Sequence, residues 1–399
     1  MATQHACFAR RILAIIALAV VVALVPMPST QSALGNGQAK SAARVPAMAR
    51  PVVADPTAPR PDTSTIEYID EGLCTASCGH SSPDSVEVWS GTTFLQAFAT
   101  TMDQNFVAYE ANTLGYSKKY RCLVGADEGG NSTGSITSYA LAPDGTISAE
   151  VSNVPDPAAG NPVGVKVNAA GTLVILGDLS NYLSSWKISS GCALSFIGKA
   201  TNPTGATYST AGFVGKKQLT AVNSSNNTID TYTVNSRGAL AYQASTPAQF
   251  AGADGIASSN NEVVTGNICE TQSQVELGTV GSTGAITYLP GSPATDGDGA
   301  SCGLTTYITG KTTLLEGNYG NSTIGNYSTS PSLAWVSDVD TAGSYAVDDL
   351  TPLGKVLFVN GDANGQIVTC RLSHGFVTTC STYLTLTDGG GYSNGLIVI

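Results

Sequence analysis

The chain has 399 residues, only 12% of them charged, and a formal net charge of −11 at pH 7. Nucleic-acid binding requires a basic surface against the phosphate backbone, so we expect no nucleic-acid partner for this acidic chain. Short runs of Val, Ile, Tyr and Thr, broken by Gly, Asn and Asp, predict an all-β protein.

The first 33 residues have the pattern of an export signal peptide. Arg10 and Arg11 precede the apolar run 12–25, and prolines and small residues then lead to a cleavage site near Ser32 or Ala33. The alternative is a membrane anchor, but 14 apolar residues are fewer than the roughly 20 that a spanning helix needs. We predict an exported protein, periplasmic or extracellular, with no membrane span after signal cleavage.

Two further features fit an exported domain. Residues 34–64 are rich in Ala and Pro without a hydrophobic period, which predicts a disordered linker before a folded domain at 65–399. Eight cysteines follow the signal, an even number typical of disulfides outside the cytosol. Cys370 and Cys380 flank a predicted turn, which favours pairing across two strands. The segment CTASC at 74–78 could suggest a metal site, but no second pair or suitably spaced histidine supports it.

A repeated unit organises the folded part. An aliphatic anchor recurs every 43–50 residues, and five of the seven anchors are followed three positions later by an aromatic residue. Six anchors are also preceded by an apolar run that ends on Asp or Asn, and turn glycines follow in most copies. Four short strands per 45–50 residues are typical of a β-propeller blade. The anchors are Val86, Ile136, Leu183, Ile229, Val275, Ile324 and Ile367.

The two ends of the chain are predicted to share one blade. The segment SNGLIVI at 393–399 supplies only an innermost strand. The segments at 64–72, 85–90 and 94–100 can supply the other three. The fold predicted is therefore a seven-bladed β-propeller of four-stranded antiparallel blades, closed where the N-terminal strands join the C-terminal strand.

The order Pro-x-Gly, strand, aliphatic-Asn/Asp, strand, turn Gly resembles the lactonase-like and YVTN-repeat seven-bladed propellers. The resemblance is clearest over 161–188 and 202–240. It implies the propeller fold and, as in 6-phosphogluconolactonase-like proteins, chemistry on lactone rings. Asp178 and Leu179 match the family's Asp-Leu-Gly segment, but Ser180 replaces its glycine and the preceding segment 161–164 has no histidine. This departure favours binding over catalysis.

A ring of polar residues is predicted on one rim, because the loops between the second and third strands of all blades lie together there. Such a rim could bind a small hydroxylated ligand, a protein partner or a divalent cation such as Ca²⁺ through oxygen atoms. Alternatively, each Asn or Asp caps its own turn. The rim residues are Asp127, Glu128, Asp178, Asn223, Asn267, Asn318, Asn360 and Asp362.

The remaining site candidates are sparse. Asp296 and Asp298 resemble the start of a calcium loop but lack its terminal glutamate, so a plain loop is the alternative. No Ser-His-Asp order or Gly-x-Ser-x-Gly elbow is present. The acid–base candidates are Arg121, Arg237, Glu110, Glu270, Glu316 and His374.

These observations lead to two functional hypotheses. The first is a monomeric, non-catalytic or catalytically altered propeller that binds a ligand, cation or protein at its rim and requires no cofactor. The second is a lactone hydrolase with a displaced catalytic set. Convergence of His374 with an Arg and a Glu at the channel mouth would favour the enzyme.

Overall fold

The structure is a computed structural model in which 14 segments of the chain are described. The predicted signal, the linker, and Cys74, Cys78, Cys269 and Cys302 lie outside them. No helix within the described segments is long and apolar enough to cross a membrane. The segments are 65–72, 85–99, 114–127, 134–157, 162–178, 182–259, 261–267, 273–296, 303–309, 312–318, 321–341, 347–361, 366–385 and 392–399.

The described residues form 29 β-strands in seven antiparallel sheets, numbered here as blades 1 to 7. Blade 1 begins with β1 (Ile66–Gly72), β2 (Ser85–Ser90) and β3 (Thr93–Ala99). Blade 2 contains β4 (Leu114–Ser117), β5 (Cys122–Asp127), β6 (Ser135–Leu141) and β7 (Ile147–Pro155). Blade 3 contains β8 (Pro162–Val167), β9 (Leu173–Asp178), β10 (Tyr182–Ile188) and β11 (Leu194–Ala200). Blade 4 contains β12 (Tyr208–Val214), β13 (Gln218–Asn223), β14 (Thr228–Val234) and β15 (Leu240–Pro247).

Blade 5 contains β16 (Ala253–Ser259), β17 (Glu262–Asn267), β18 (Gln274–Val280), β19 (Ile286–Tyr288) and the short β20 (Ala294–Thr295). Blade 6 contains β21 (Gly303–Thr309), β22 (Thr313–Asn318), β23 (Thr323–Ser328) and β24 (Ala334–Asp340). Blade 7 contains β25 (Val347–Leu353), β26 (Val356–Gly361), β27 (Gln366–Ser373) and β28 (Phe376–Thr385). The last strand, β29 (Tyr392–Val398), returns to blade 1.

The predicted ring closure is confirmed. Blade 1 has the order β29-β1-β2-β3, with β29 innermost and antiparallel to β1. The backbone N–H of Ile66 donates to Ile399 O at 3.1 Å, and the N–H of Ile399 donates to Ile66 O at 3.0 Å. The innermost strand of each blade contacts the innermost strands of both neighbouring blades, so the seven sheets form a closed ring.

The repeat arises from packing between blades. All seven anchors are the second residue of the third strand of their blade, and each is at most 1% exposed. Ile229 packs with Phe250 and Ile256 on the blade 5 side, whereas Tyr232 packs with Leu173 and Ile175 of blade 3. Middle strands are thus covered on both faces, which explains their continuous apolar runs. Fully burying one such side chain contributes roughly 1.5–3 kcal/mol.

The third and fourth strands are joined by tight turns. In blade 4, Asn235 Oδ1 accepts hydrogen bonds from the N–H groups of Arg237 and Ala239 at 2.9 and 3.0 Å. Gly238 follows with φ +88°, a conformation that side chains with a Cβ rarely adopt. A turn of this kind explains why a glycine recurs in most copies of the repeat.

Two disulfides reinforce the described part of the ring. Cys370 pairs with Cys380 across β27 and β28, as predicted from the sequence. Cys122 on β5 of blade 2 pairs with Cys192 in the β10–β11 turn of blade 3. This second bond closes a sequence separation of 70 residues and fastens neighbouring blades. Loop-closure entropy gives about 4 kcal/mol of stabilisation for a loop of that length.

Candidate functional site

The two rims of the propeller carry different connections. Within each blade, the turns between strands one and two and between strands three and four lie on one side, which we call the turn rim. The connections between strands two and three, and those between successive blades, lie on the opposite side, which we call the loop rim. The antiparallel order of every blade fixes this division.

The predicted asparagines lie at the loop rim but are buried. Asn223, Asn267, Asn318 and Asn360 each lie at or next to the end of a second strand and have 0% exposure. Asn223 Nδ2 donates to Gly205 O at 3.1 Å. Asn267 Oδ1 accepts a hydrogen bond from the N–H of Gln274 at 2.8 Å. In these two blades the amide groups therefore tie a strand end to an adjacent segment.

The other predicted rim residues give less information. Asp127 and Asp178 are the last residues of β5 and β9 and lie at the same rim, but their side chains are not among those that the structure describes. Glu128 and Asp362 lie outside the described residues. Ligand binding by the rim set stays a prediction.

Three predicted residues meet at one place between blades 5 and 6. Asn318 Nδ2 donates to Asp296 Oδ2 at 2.8 Å. Ser273 Oγ lies 2.8 Å from Glu316 Oε1 and 3.2 Å from Asn318 Oδ1. The hydroxyl of Tyr327 donates to Glu316 Oε2 at 2.5 Å. We call these five residues the Glu316 cluster.

The electrostatics of this cluster favour a neutral glutamic acid. The pKa of Glu316 is raised to about 8, chiefly by burial; the hydrogen bonds from Tyr327 and Ser273 oppose the shift, and the nearby carboxyl groups of Asp296 and Asp338 add to it. Glu316 therefore holds a proton at neutral pH. Its exposure is 0%, so this carboxyl has no surface at which a dissolved substrate could contact it.

A second buried carboxylate lies in blade 4, on the side that faces blade 3. Five side-chain donors surround Asp230. Oδ2 accepts from Asn202, Tyr208 and Asn223 at 2.9, 2.7 and 3.0 Å. Oδ1 accepts from Thr228 at 3.0 Å and Ser245 at 2.5 Å. We call this group the Asp230 cluster.

Sequence reasoning missed Asp230, although a signal was present. The residue after the anchor is polar in five of the seven blades, and all five side chains are buried. A polar residue between buried positions of a middle strand indicates an internal hydrogen-bonding group. These residues are Glu87, Thr137, Ser184, Asp230 and Glu276.

The described acid–base candidates do not converge. Arg121, Arg237 and His374 are exposed in turns at the turn rim. Arg121 Nη2 donates to Ala142 O at 2.7 Å, and His374 Nδ1 lies 3.2 Å from Ser373 Oγ. Glu316 lies buried in a seam at the loop rim instead. Glu110 and Glu270 lie outside the described residues.

The described residues offer little support for a metal centre. No group of three or more His, Cys, Asp or Glu side chains among them could hold a metal ion. Asp296 is 4% exposed and accepts the Asn318 amide, and Asp298 lies outside the description. A cation at this loop stays a prediction.

Comparison with known proteins supports the fold but does not establish the function. No family model matches the chain, and no curated protein matches it. A Lactobacillus plantarum protein has a TM-score of 0.61 at 15% identity, covering 84% of this chain and 99% of its own. A Pseudomonas aeruginosa periplasmic gluconolactonase gives 0.60 at 14% identity over 84% and 99% of the two chains.

A Bacteroides uniformis protein described as a candidate 6-phosphogluconolactonase gives a TM-score of 0.62 at 14% identity, again over 84% and 99% of the two chains. The chain therefore has the fold of the 6-phosphogluconolactonase-like seven-bladed propellers, as its sequence resemblance implies. Identities this low carry no activity from one protein to another.

Proposed function

We propose that this protein is an exported, lactonase-like propeller that binds a small polyhydroxylated ligand at its loop rim without hydrolysing it. The observation that carries this proposal is the separation of the described acid–base candidates. Arg121 and His374 lie exposed at the turn rim, while Glu316 lies buried at the loop rim. A general acid or base must come within hydrogen-bond reach of the group it serves.

The chemistry of the ligand follows from two considerations. Exposed hydroxyl and amide groups of the β13–β14 connection at the loop rim, on Ser224, Ser225 and Asn226, suit a ligand rich in hydroxyl groups, and the fold is shared with a protein named as a gluconolactonase. A sugar lactone, or the sugar acid formed from it, is therefore the ligand class we propose. The two disulfides and the periplasmic origin of that compared protein support export.

A lactone hydrolase is the second candidate function. It is favoured by Glu316, because a buried carboxyl with a pKa of about 8 can exchange a proton near neutral pH. Tyr327 and Ser273 would orient this carboxyl through their hydroxyl groups. The enzyme would need a movement of blades 5 and 6 that brings Glu316 into contact with the substrate.

Binding and hydrolysis can be separated in one set of measurements. Calorimetry with gluconate and gluconolactone measures binding, and a pH-stat measures lactone opening with and without EDTA. We expect saturable binding and no opening above the uncatalysed rate. Opening that is saturable and lost in E316Q would support the hydrolase, and absence of both binding and opening would reject both functions.

A matched pair of variants tests the rim. Thr207 is half-buried at the loop rim immediately before innermost strand β12, and Ser236 is exposed in a turn of the same blade at the turn rim. We expect T207R to weaken gluconate binding about tenfold or more, which corresponds to about 1.4 kcal/mol, and S236R to leave it unchanged. Equal binding by the two variants would contradict a loop-rim site.

A further inference from the structure

The seam between blade 1 and blade 7 contains two buried glutamates. In the β1–β2 register, Glu67 lies opposite Trp89 and Ile69 lies opposite Glu87. Because alternate residues of a strand share a face, Glu67 lies on the same face of blade 1 as Ile69 and Glu87. Ile69 and Trp89 pack there against residues of blade 7 that include Tyr383.

Glu67 is poorly compensated in this position. Its side chain has 0% exposure, and Oε1 accepts one hydrogen bond from the Tyr383 hydroxyl at 3.2 Å. Oε2 has no hydrogen-bond partner within the part of the chain that the structure describes. Glu87, in contrast, accepts a hydrogen bond from Trp89 Nε1 at 2.8 Å. Burying a charged carboxylate that has one oxygen without a hydrogen bond costs far more free energy than burying a neutral carboxylic acid.

In the described part of the chain, no positively charged group faces Glu67. Glu87 on β2 and Tyr383 on β28 are the ionisable groups found on this seam among the described side chains. The other members of the core here are apolar, and they include Phe358 and Leu384. Burial raises the pKa of Glu67 to about 8, and the Tyr383 hydrogen bond only partly opposes the shift.

We propose that closure of the propeller ring is linked to a proton on Glu67, so that the seam between blades 1 and 7 is closed while this carboxyl is neutral and opens locally when it ionises. The position of Glu67 makes the effect specific to the closure. It lies on β1 opposite Val398 of β29, in the strand pair that closes the ring of described strands. Ionisation at this point would weaken the pairing that keeps the ring shut.

The expected size of the effect follows from proton linkage. In an open seam Glu67 is solvated and has its ordinary pKa of 4.5, whereas in the closed seam the pKa is about 8. Between these two values the closed form binds more protons, so the open-to-closed ratio rises up to about tenfold per pH unit. From pH 5.5 to pH 7.5 the local opening is therefore expected to increase roughly seventyfold.

Amide hydrogen exchange measured by mass spectrometry tests this directly. The readout is the protection of residues 392–398 at pH 5.5 and 7.5, after correction for the intrinsic pH dependence of exchange. The internal reference is β8, an innermost strand in blade 3. We expect β29 in the wild-type protein to lose far more protection than β8 over this range. This comparison needs no variant, so it remains valid if a substitution prevents folding.

Two variants then assign the effect to one residue. E67Q is expected to abolish the additional loss of exchange protection in β29 between pH 5.5 and pH 7.5, because a glutamine cannot ionise. E276Q changes another buried glutamate, whose burial raises its pKa to about 7, and is expected to leave the behaviour of β29 unchanged. Equal pH dependence of β29 and β8 in the wild type, or a loss of protection in β29 that survives E67Q, would overturn the proposal.

Discussion

The Asp230 and Glu316 clusters solve the same physical problem in different ways. Each places a fully buried carboxyl at a seam between blades, in contact with a tyrosine hydroxyl. Asp230 has five donors, enough to compensate a full negative charge. Glu316 has two donors and lies near two further acids, so a proton compensates it instead. The number of donors therefore decides how each carboxyl is accommodated.

The largest effect is expected when Asp230 is removed. D230A leaves the side-chain donors of Asn202, Asn223 and Tyr208 facing a cavity, and loss of a buried charged partner typically costs about 3–5 kcal/mol. Urea unfolding at pH 7 measures the loss. K216Q, which removes a charge at an exposed position of the β12–β13 turn, serves as the control and should leave the midpoint unchanged. A loss below about 1 kcal/mol would show that the five hydrogen bonds do not stabilise the fold.

An intermediate effect is expected from E316Q, and its sign depends on pH. The folded pKa of about 8 exceeds the ordinary 4.5, so the folded state binds more protons between these values. The wild-type free energy of unfolding therefore falls as pH rises from 4.5 to 8, by up to about 1.4 kcal/mol per unit from this group.

Glutamine removes this dependence. E316Q should thus resemble the wild type near pH 5 and exceed its free energy of unfolding by roughly 3–4 kcal/mol at pH 8, measured by urea unfolding across the pH range. The matched variant D230N should instead be less stable than the wild type at pH 7. Identical pH slopes for E316Q and the wild type would contradict a neutral Glu316.

The smallest effect is expected when single hydroxyls are removed. Y327F removes the hydroxyl that donates to Glu316 Oε2. It should lower the free energy of unfolding by about 1–2 kcal/mol, because this buried oxygen then lacks that hydrogen bond. T228V removes one of the two donors to Asp230 Oδ1, and Ser245 still donates to this oxygen. The free energy of unfolding should therefore fall by less than about 1 kcal/mol. Paired urea titrations measure the difference. A larger loss of stability in T228V than in Y327F would contradict the view that the Asp230 cluster tolerates the loss of one donor better than the Glu316 cluster.

The fold could be predicted from the sequence because the repeat encodes packing. An anchor such as Ile229 and an aromatic such as Tyr232 recur because every blade must fill the same gap to its neighbours. The shared closing blade could be predicted as well, since SNGLIVI supplies one strand and the N-terminal segments supply three.

The Glu316 cluster could not be predicted because its partners come from different repeats. Ser273 and Asp296 belong to blade 5, whereas Glu316 belongs to blade 6, and no local pattern brings them together. The asparagines at the strand ends looked like an open polar ring. In the structure, contacts such as Asn223 with Gly205 bury them beneath the connecting segments.

The shared closing blade also determines how the protein can be held on a support. Strand β29 runs from the loop rim to the turn rim, so Ile399 lies beside Ile66 on the side away from the proposed binding face. An affinity tag or a fused domain attached after Ile399 would leave from the turn rim. A sensor surface that captures such a tag would present the loop rim to the solution, in one orientation for every molecule.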